Sequence, residues 1–163
     1  MKKDVERLIA FVEHILESGR LEHNQREIRY QKVSIPELCQ RCASMIRERY
    51  QLSQDELSCH VSLEKSHEML VTDAVACETI LMNLLDNAVK YSEKPVAVRL
   101  DATERDGKLL IIVKDQGIGI PKRLLKKIFR RFFRVPQDSR VVARGTGLGL
   151  YVVASLVKRL GGQ

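Results

Sequence analysis

Apolar residues recur along the chain with two different periods. Val5, Leu8, Val12 and Ile15 stand at spacings of four, three and four, with Ile9 and Leu16 beside them. That stripe predicts a helix that packs against another helix, running to about Ser18, with Gly19 as its stop. A lone helix with such a seam is marginal in water, so the pattern implies a partner helix from a second copy or from further sequence. Ile28 to Val33 alternates as a short strand does. Ser34 and Glu37 then form a capping box with Pro36 in the first turn, which predicts a helix to about Arg49. Cys59 to Leu63 alternates again, as a strand. Asp73 to Val89 has helical periodicity, with Ile80, Leu81, Leu84, Leu85 and Ala88 on one broad apolar face.

Pro95 to Ala102 and Lys108 to Lys114 read as two strands joined through Asp106-Gly107, a hairpin signal. The continuous apolar run Leu109-Leu110-Ile111-Ile112-Val113 suits a central strand. Arg123 to Phe129 predicts a short helix and Arg134 to Gly145 a polar loop. Gly147 to Leu160 predicts a last helix ended by Gly161-Gly162. The expected fold class is α+β: a two-layer α/β sandwich with a mixed, mostly antiparallel sheet, preceded by a helical stalk.

Composition narrows the picture. The chain has 163 residues, the size of one ordinary domain, with 44% hydrophobic and 30% charged residues, the balance of a globular protein. No apolar run approaches the roughly 20 residues of a membrane span, and the N-terminus lacks a signal-peptide core. The net charge of +7 fits a basic solvated surface or a polyanionic ligand. Nucleic acid is not supported: no zinc-finger or RNA-recognition pattern occurs, and four Tyr and four Phe are few for base stacking. Cys39 and Cys42 form one C-x-x-C with no second pair, so Cys39, Cys42, Cys59 and Cys77 read as free thiols of a reducing compartment.

Four segments carry candidate chemistry. In Asn83-Leu84-Leu85-Asp86-Asn87-Ala88-Val89-Lys90-Tyr91, Asn83, Asn87 and Lys90 share one helix face. Amide oxygens and an ammonium together suit Mg²⁺ and phosphates, although a solvated polar face has the same spacing. Asp115-Gln116-Gly117-Ile118-Gly119-Ile120 follows the apolar strand. Its carboxylate suits an exocyclic amine, and its glycines let backbone approach a flat ring. Ile128-Phe129-Arg130-Arg131-Phe132-Phe133-Arg134 offers packing phenylalanines and arginines within reach of phosphate. Gly145-Thr146-Gly147-Leu148-Gly149-Leu150 opens the last helix, where free N–H groups make an anion site. It is neither a Walker loop nor a dinucleotide fingerprint, because no Gly-Lys-Ser/Thr and no βαβ unit accompany it.

Together and in this order, the four resemble the N, G1, F and G2 boxes of the sensor histidine kinases. These kinases lie within the wider ATPase superfamily of gyrase, the ninety-kilodalton heat-shock chaperone and MutL. The resemblance rests on NLLDNAVKYS, DQGIGI, IFRRFFRV and GTGLGL, and extends over nearly the whole chain. Residues 1–22 look like the end of the second helix of that family's dimerisation hairpin, and 23–163 like its ATP-binding catalytic domain, without the usual final strand pair. The resemblance implies that Asn87 coordinates Mg²⁺ with Asn83 nearby, that Lys90 contacts phosphate and that Tyr91 contacts adenine. It also implies that Asp115 accepts from the adenine amino group. Gly117 and Gly119 would line the ring, with Ile120 beside them. Arg134 would reach phosphate, residues 135–144 would form the ATP lid, and Thr146, Gly147, Leu148 and Gly149 would make the phosphate-side helix start.

The family's phosphoacceptor histidine is followed by an acid and then an Arg/Lys-Thr/Ser-Pro pattern. None of His14, His23, His60 and His67 has that context, so the chain reads as a fragment that begins after the acceptor helix. The implied ligands are ATP or ADP with Mg²⁺, and the implied partners are a response regulator and a second copy of the parent. The implied location is the cytoplasm, with the parent at the cytoplasmic face of the inner membrane. Rival readings are an ATPase or serine kinase of the anti-sigma-factor type, against which the Val5–Ile15 seam speaks, and a nucleotide-binding module without turnover.

Overall fold

The computed structural model describes residues 27–65, 68–135 and 145–163. The expected stalk and most of the loop between Arg134 and Gly145 lie outside the described residues. The chain divides into two compact units, one spanning Arg29–Gly119 and one whose described part is chiefly Ile120–Gln163.

In the first unit the elements run β1 (Gln31–Ser34), α1 (Ile35–Tyr50), β2 (Leu57–Ser62), β3 (Met69–Thr72), α2 (Ala74–Tyr91), β4 (Val98–Arg105) and β5 (Lys108–Asp115). β4 is the middle of a three-stranded sheet, parallel to β2 and antiparallel to β5. β1 and β3 form a separate antiparallel pair, with Gln31 opposite Thr72 and Ser34 opposite Met69. The two helices pack on each other and against the sheet. Leu38, Cys39, Cys42 and Ile46 of α1 meet Leu81, Leu85, Ala88 and Val89 of α2 and Leu57, Val98, Leu100 and Ala102 of the strands in one buried cluster. A mixed α/β architecture with helices layered on a sheet is therefore what the periodicity predicted.

Local chemistry fixes the ends of these elements. The Ser34 hydroxyl accepts the Glu37 N–H at 3.4 Å, and Gln51 closes α1 in the left-handed region (φ 56). Asp73 caps α2 through two bonds: Oδ1 accepts from the Ala76 N–H at 2.8 Å and Oδ2 from the Arg29 N–H at 3.0 Å. Asp106 (φ 53) and Gly107 (φ 70) make the two-residue turn between β4 and β5. Such a turn matches the strand twist only with both residues at positive φ, and it keeps the ladder paired from Arg105 to Lys108. β4 therefore continues to Arg105 instead of ending at Ala102. Sequence periodicity missed β3, because Met69, Leu70 and Val71 do not alternate and all three are exposed.

In the second unit, the helix expected over Arg123–Phe129 reduces to one 3-10 turn, Lys122–Leu124, followed by further turns. Most of the hydrogen bonds here reach three residues back, as in Lys127 N–H to Leu124 O (2.7 Å) and Arg130 N–H to Lys127 O (2.9 Å). The physical reason is charge: Lys122, Arg123, Lys126, Lys127, Arg130 and Arg131 repel at helical spacings, with no acid among residues 122–134 to offset them. Phe129 and Phe132 are exposed, not packed as expected. α3 (Gly149–Arg159) starts two residues later than predicted and buries Val152, Val153 and Leu156. It ends in paired reverse bonds, Gly161 N–H to Lys158 O and Gly162 N–H to Val157 O, with Gly161 at φ 78.

Candidate functional site

The first unit gathers two of the four sequence segments. Asp73 starts α2 and Ser92 ends it, its hydroxyl donating to the Ala88 carbonyl at 2.7 Å. Asn83, Asn87 and Lys90 thus lie along one side of a continuous helix. Asn83 is buried, and its Nδ2 donates to the Thr79 carbonyl at 2.9 Å. That bond uses the amide nitrogen and leaves Oδ1 as an acceptor. Asn87 is half-buried, with no side-chain partner among the described residues. Lys90 pairs with Asp86 one turn earlier.

The end of β5 is fastened to the end of α2. Ile118 N–H donates to the Tyr91 carbonyl at 3.2 Å, Glu93 N–H to the Gln116 carbonyl at 3.4 Å, and Ser92 and Gly117 form an antiparallel bridge. This approach requires glycine at 117. A Cβ there would overlap the Tyr91 carbonyl oxygen and stand 2.8 Å from Asp115 Oδ1. Asp115 itself is exposed, and its Oδ1 accepts the Gly117 N–H at 2.9 Å. One carboxylate oxygen is thereby fixed by its own turn, and Oδ2 has no partner among the described residues. Gly119 follows at φ +67. Tyr91, Asp115 and Gly117 are therefore brought together by backbone pairing.

The other two segments belong to the second unit. Gly147 (φ +72) lies against the Phe132 backbone, where a Cβ would come within 2.7 Å of the Phe132 carbonyl carbon. Phe132 is itself left-handed (φ 60), and the Arg131 guanidinium stacks 4.9 Å from its ring centre. Thr146 Oγ1 accepts the Leu148 N–H at 3.2 Å, Leu148 is buried, and Gly149 begins α3. Ile120 and Arg134 are exposed.

Sequence reasoning gave Asp86 no role, yet it is the polar centre of the first helix pair. Its Oδ1 accepts the Tyr50 hydroxyl at 2.6 Å and lies 3.6 Å from Arg49, and its Oδ2 meets Lys90. Only the four-residue spacing between Asp86 and Lys90 signals this in the sequence. Burial first, then the hydrogen bond to Asp86, pushes the Tyr50 phenol well above its ordinary value. Tyr50 therefore stays a donor.

Cys39 and Cys42 are fully buried, and burial pushes their thiols up to about 12 and about 11. No cluster of three or more metal-ligating side chains occurs among the described residues. His60 is exposed on β2, and His14, His23 and His67 lie outside the described residues. No described helix is long and apolar enough to cross a membrane.

A family profile described as histidine kinase-, DNA gyrase B-, and HSP90-like ATPase matches residues 72–163, more than half of the chain. The sensor histidine kinase WalK of Bacillus subtilis is 30% identical over 168 residues, covering 99% of this chain and 26% of that protein. The hybrid signal transduction histidine kinase K of Dictyostelium discoideum is 33% identical over 168 residues, covering 96% of this chain and 14% of that protein. The full-length ShkA structure in complex with AMPPNP superposes with a TM-score of 0.77 at 26% identity, over 98% of this chain and 32% of that one. The mycobacterial sensor histidine kinase MprB gives 0.61 at 26% identity, over 82% of this chain and 81% of that one. The fold and the ordered segments thus define a nucleotide-binding domain of the kinase and chaperone ATPase type. The chain belongs to the histidine kinase-, gyrase B- and HSP90-like ATPase family, as the ATP-binding catalytic domain of a histidine kinase. It spans about a quarter or less of the length of these two curated relatives.

Proposed function

We propose that this domain binds Mg²⁺·ATP and, within its parent protein, presents the γ-phosphoryl to a histidine, from which it passes to an aspartate of a response regulator. One observation carries the reading. The β5 end is fastened to the α2 end, so the Asp115 carboxylate is held beside Tyr91 with one oxygen fixed and the other open. In this reading Oδ2 accepts from the adenine amino group, Gly117 and Gly119 let the ring approach backbone, with Ile120 beside them, and Tyr91 packs on it. Asn87 and Asn83 supply hard amide oxygens, the donor type Mg²⁺ takes, and the partnerless Asn87 side chain fits a metal ligand. Bound Mg²⁺ neutralises phosphate charge. Lys90 contacts phosphate from the end of α2; in the other unit, Arg134 and the backbone N–H groups of Thr146, Gly147 and Gly149 are chemically suited to phosphate.

The domain's task is positioning and charge neutralisation. The acceptor imidazole forms the P–N bond as the bond from the γ-phosphorus to the bridging oxygen breaks and ADP leaves. None of the four histidines of this chain stands in the acceptor context. The same reading assigns a homodimer through the helical hairpin and a location on the cytoplasmic side of the membrane.

Calorimetric titration with ATP, ADP and GTP, each with and without Mg²⁺, tests the ligand. Binding of ATP and ADP that strengthens with Mg²⁺ is expected, with GTP markedly weaker. Equal affinity for GTP would remove the adenine role from Asp115.

A further inference from the structure

Lys90 closes α2 on a long, flexible stem, and its ammonium is only partly shielded from water. An unrestrained lysine loses much side-chain freedom when it is fixed on a ligand. This lysine is already restrained. Asp86, one turn earlier, holds the ammonium through Oδ2 and draws it back along the helix.

Asp86 does not stand alone either. Its side chain is 18% exposed, and its Oδ1 accepts the Tyr50 hydroxyl at 2.6 Å. Tyr50 ends α1 and packs against the buried cluster shared by both helices and the sheet. The nearby Arg49 guanidinium, 3.6 Å from the same oxygen, offsets part of the Asp86 charge. A chain of contacts thus runs from the core through Tyr50 and Asp86 to Lys90, joining residues 36 apart in sequence.

We propose that Tyr50 and Asp86 are positioning residues for the phosphate groups of the nucleotide: they hold the Lys90 ammonium in place before ligand arrives. The proposal rests on the reading of Lys90 as a phosphate contact. The ammonium has three N–H donors, so one can remain on Asp86 while others meet phosphate oxygens. Tyr50 and Asp86 touch no ligand themselves and act through Lys90.

The test compares wild type with Tyr50→Phe, Asp86→Asn, Lys90→Met and the Tyr50→Phe/Lys90→Met pair. Affinities for adenosine, ADP and ATP are measured with Mg²⁺, together with thermal unfolding. Tyr50→Phe keeps the ring in the core and removes only the hydroxyl. It is expected to weaken ATP about threefold to tenfold, the scale of one hydrogen bond, and to leave adenosine unchanged. In the Lys90→Met background the same substitution is expected to have no further effect on ATP. Asp86→Asn is expected to act in the same direction as Tyr50→Phe. Equal weakening of adenosine and ATP would make the pair merely structural and overturn the proposal. So would additive effects in the double variant, or tighter ATP binding by Asp86→Asn, which would make the carboxylate a brake on Lys90. Wild type that binds no nucleotide would instead sink the functional reading, an outcome separate from all of these.

Discussion

At the scale of single residues, the site depends on which carboxylate oxygen is already engaged. Asp115 Oδ1 is held by the Gly117 N–H, so its acceptor geometry is set before any ligand arrives. Asp115→Asn keeps the size and the turn but removes the charged acceptor. A hydrogen bond to a charged group contributes roughly 1.5–3 kcal/mol, so ATP affinity is expected to fall about ten- to a hundredfold, read by calorimetry. Gly117 was legible in the sequence as a glycine that permits close approach. The partner it approaches, the Tyr91 carbonyl, was not, because that contact joins the end of a helix to a strand end 26 residues later. The Asp86–Tyr50 contact was illegible for the same reason: Tyr50 sits on another helix.

The cysteines carry a second prediction at this scale. Unfolded thiols titrate near 9.0, whereas burial raises Cys39 to about 12 and Cys42 to about 11. The unfolded chain therefore loses these protons first as pH rises, so the stability the thiols contribute is complete below pH 9 and is lost between about 9 and 12. Each thiol costs up to about 1.4 kcal/mol per pH unit within that window. Urea midpoints should fall between pH 8.5 and 10. They should fall less steeply in a Cys39→Ala/Cys42→Ala variant, whatever its absolute stability.

At the scale of elements, caps and turns were the most legible features, because their chemistry is local. Ser34 with Pro36, Asp106-Gly107 and Gly161-Gly162 each mark a boundary to within two or three residues. Apolar pattern alone was weaker. It missed β3, whose edge pairing with β1 leaves Met69 and Val71 exposed, and it drew a helix through a run of like charges whose repulsion weakens one. The Asp73 cap does more than end an element, since its buried carboxylate also ties the Arg29 N–H to the start of α2. Asp73→Ala leaves two backbone donors without that acceptor. A cap alone is worth about 1 kcal/mol, and a second lost bond takes the expected loss to about 2–3 kcal/mol. Urea denaturation measures it. A change below about 0.5 kcal/mol would mean that water replaces the carboxylate at both donors.

At the scale of the whole chain, the order of the four segments carried more information than any segment alone. An N-x-x-x-N helix face, a D-x-G-x-G turn, a phenylalanine run or a glycine-rich helix start is individually common. All four lie within the residues that the family profile matches, 72–163. Tyr91, Asp115, Gly117 and Gly119 lie in the Arg29–Gly119 unit, and Arg134 with the glycine-rich start of α3 in the other. Neither unit supplies a histidine in an acceptor context, so nucleotide binding and phosphoryl acceptance are expected to separate experimentally. Incubated with γ-labelled ATP and Mg²⁺, the chain alone should take up no acid-labile, base-stable label, the signature of phosphate on a histidine nitrogen. Added to a separate helical hairpin that carries an acceptor histidine, it should label that hairpin, and Asp115→Asn should slow the transfer at subsaturating ATP. Label on any of His14, His23, His60 or His67 would make the chain its own acceptor. Binding of ATP with no transfer to any hairpin offered would favour a module that holds nucleotide without turnover.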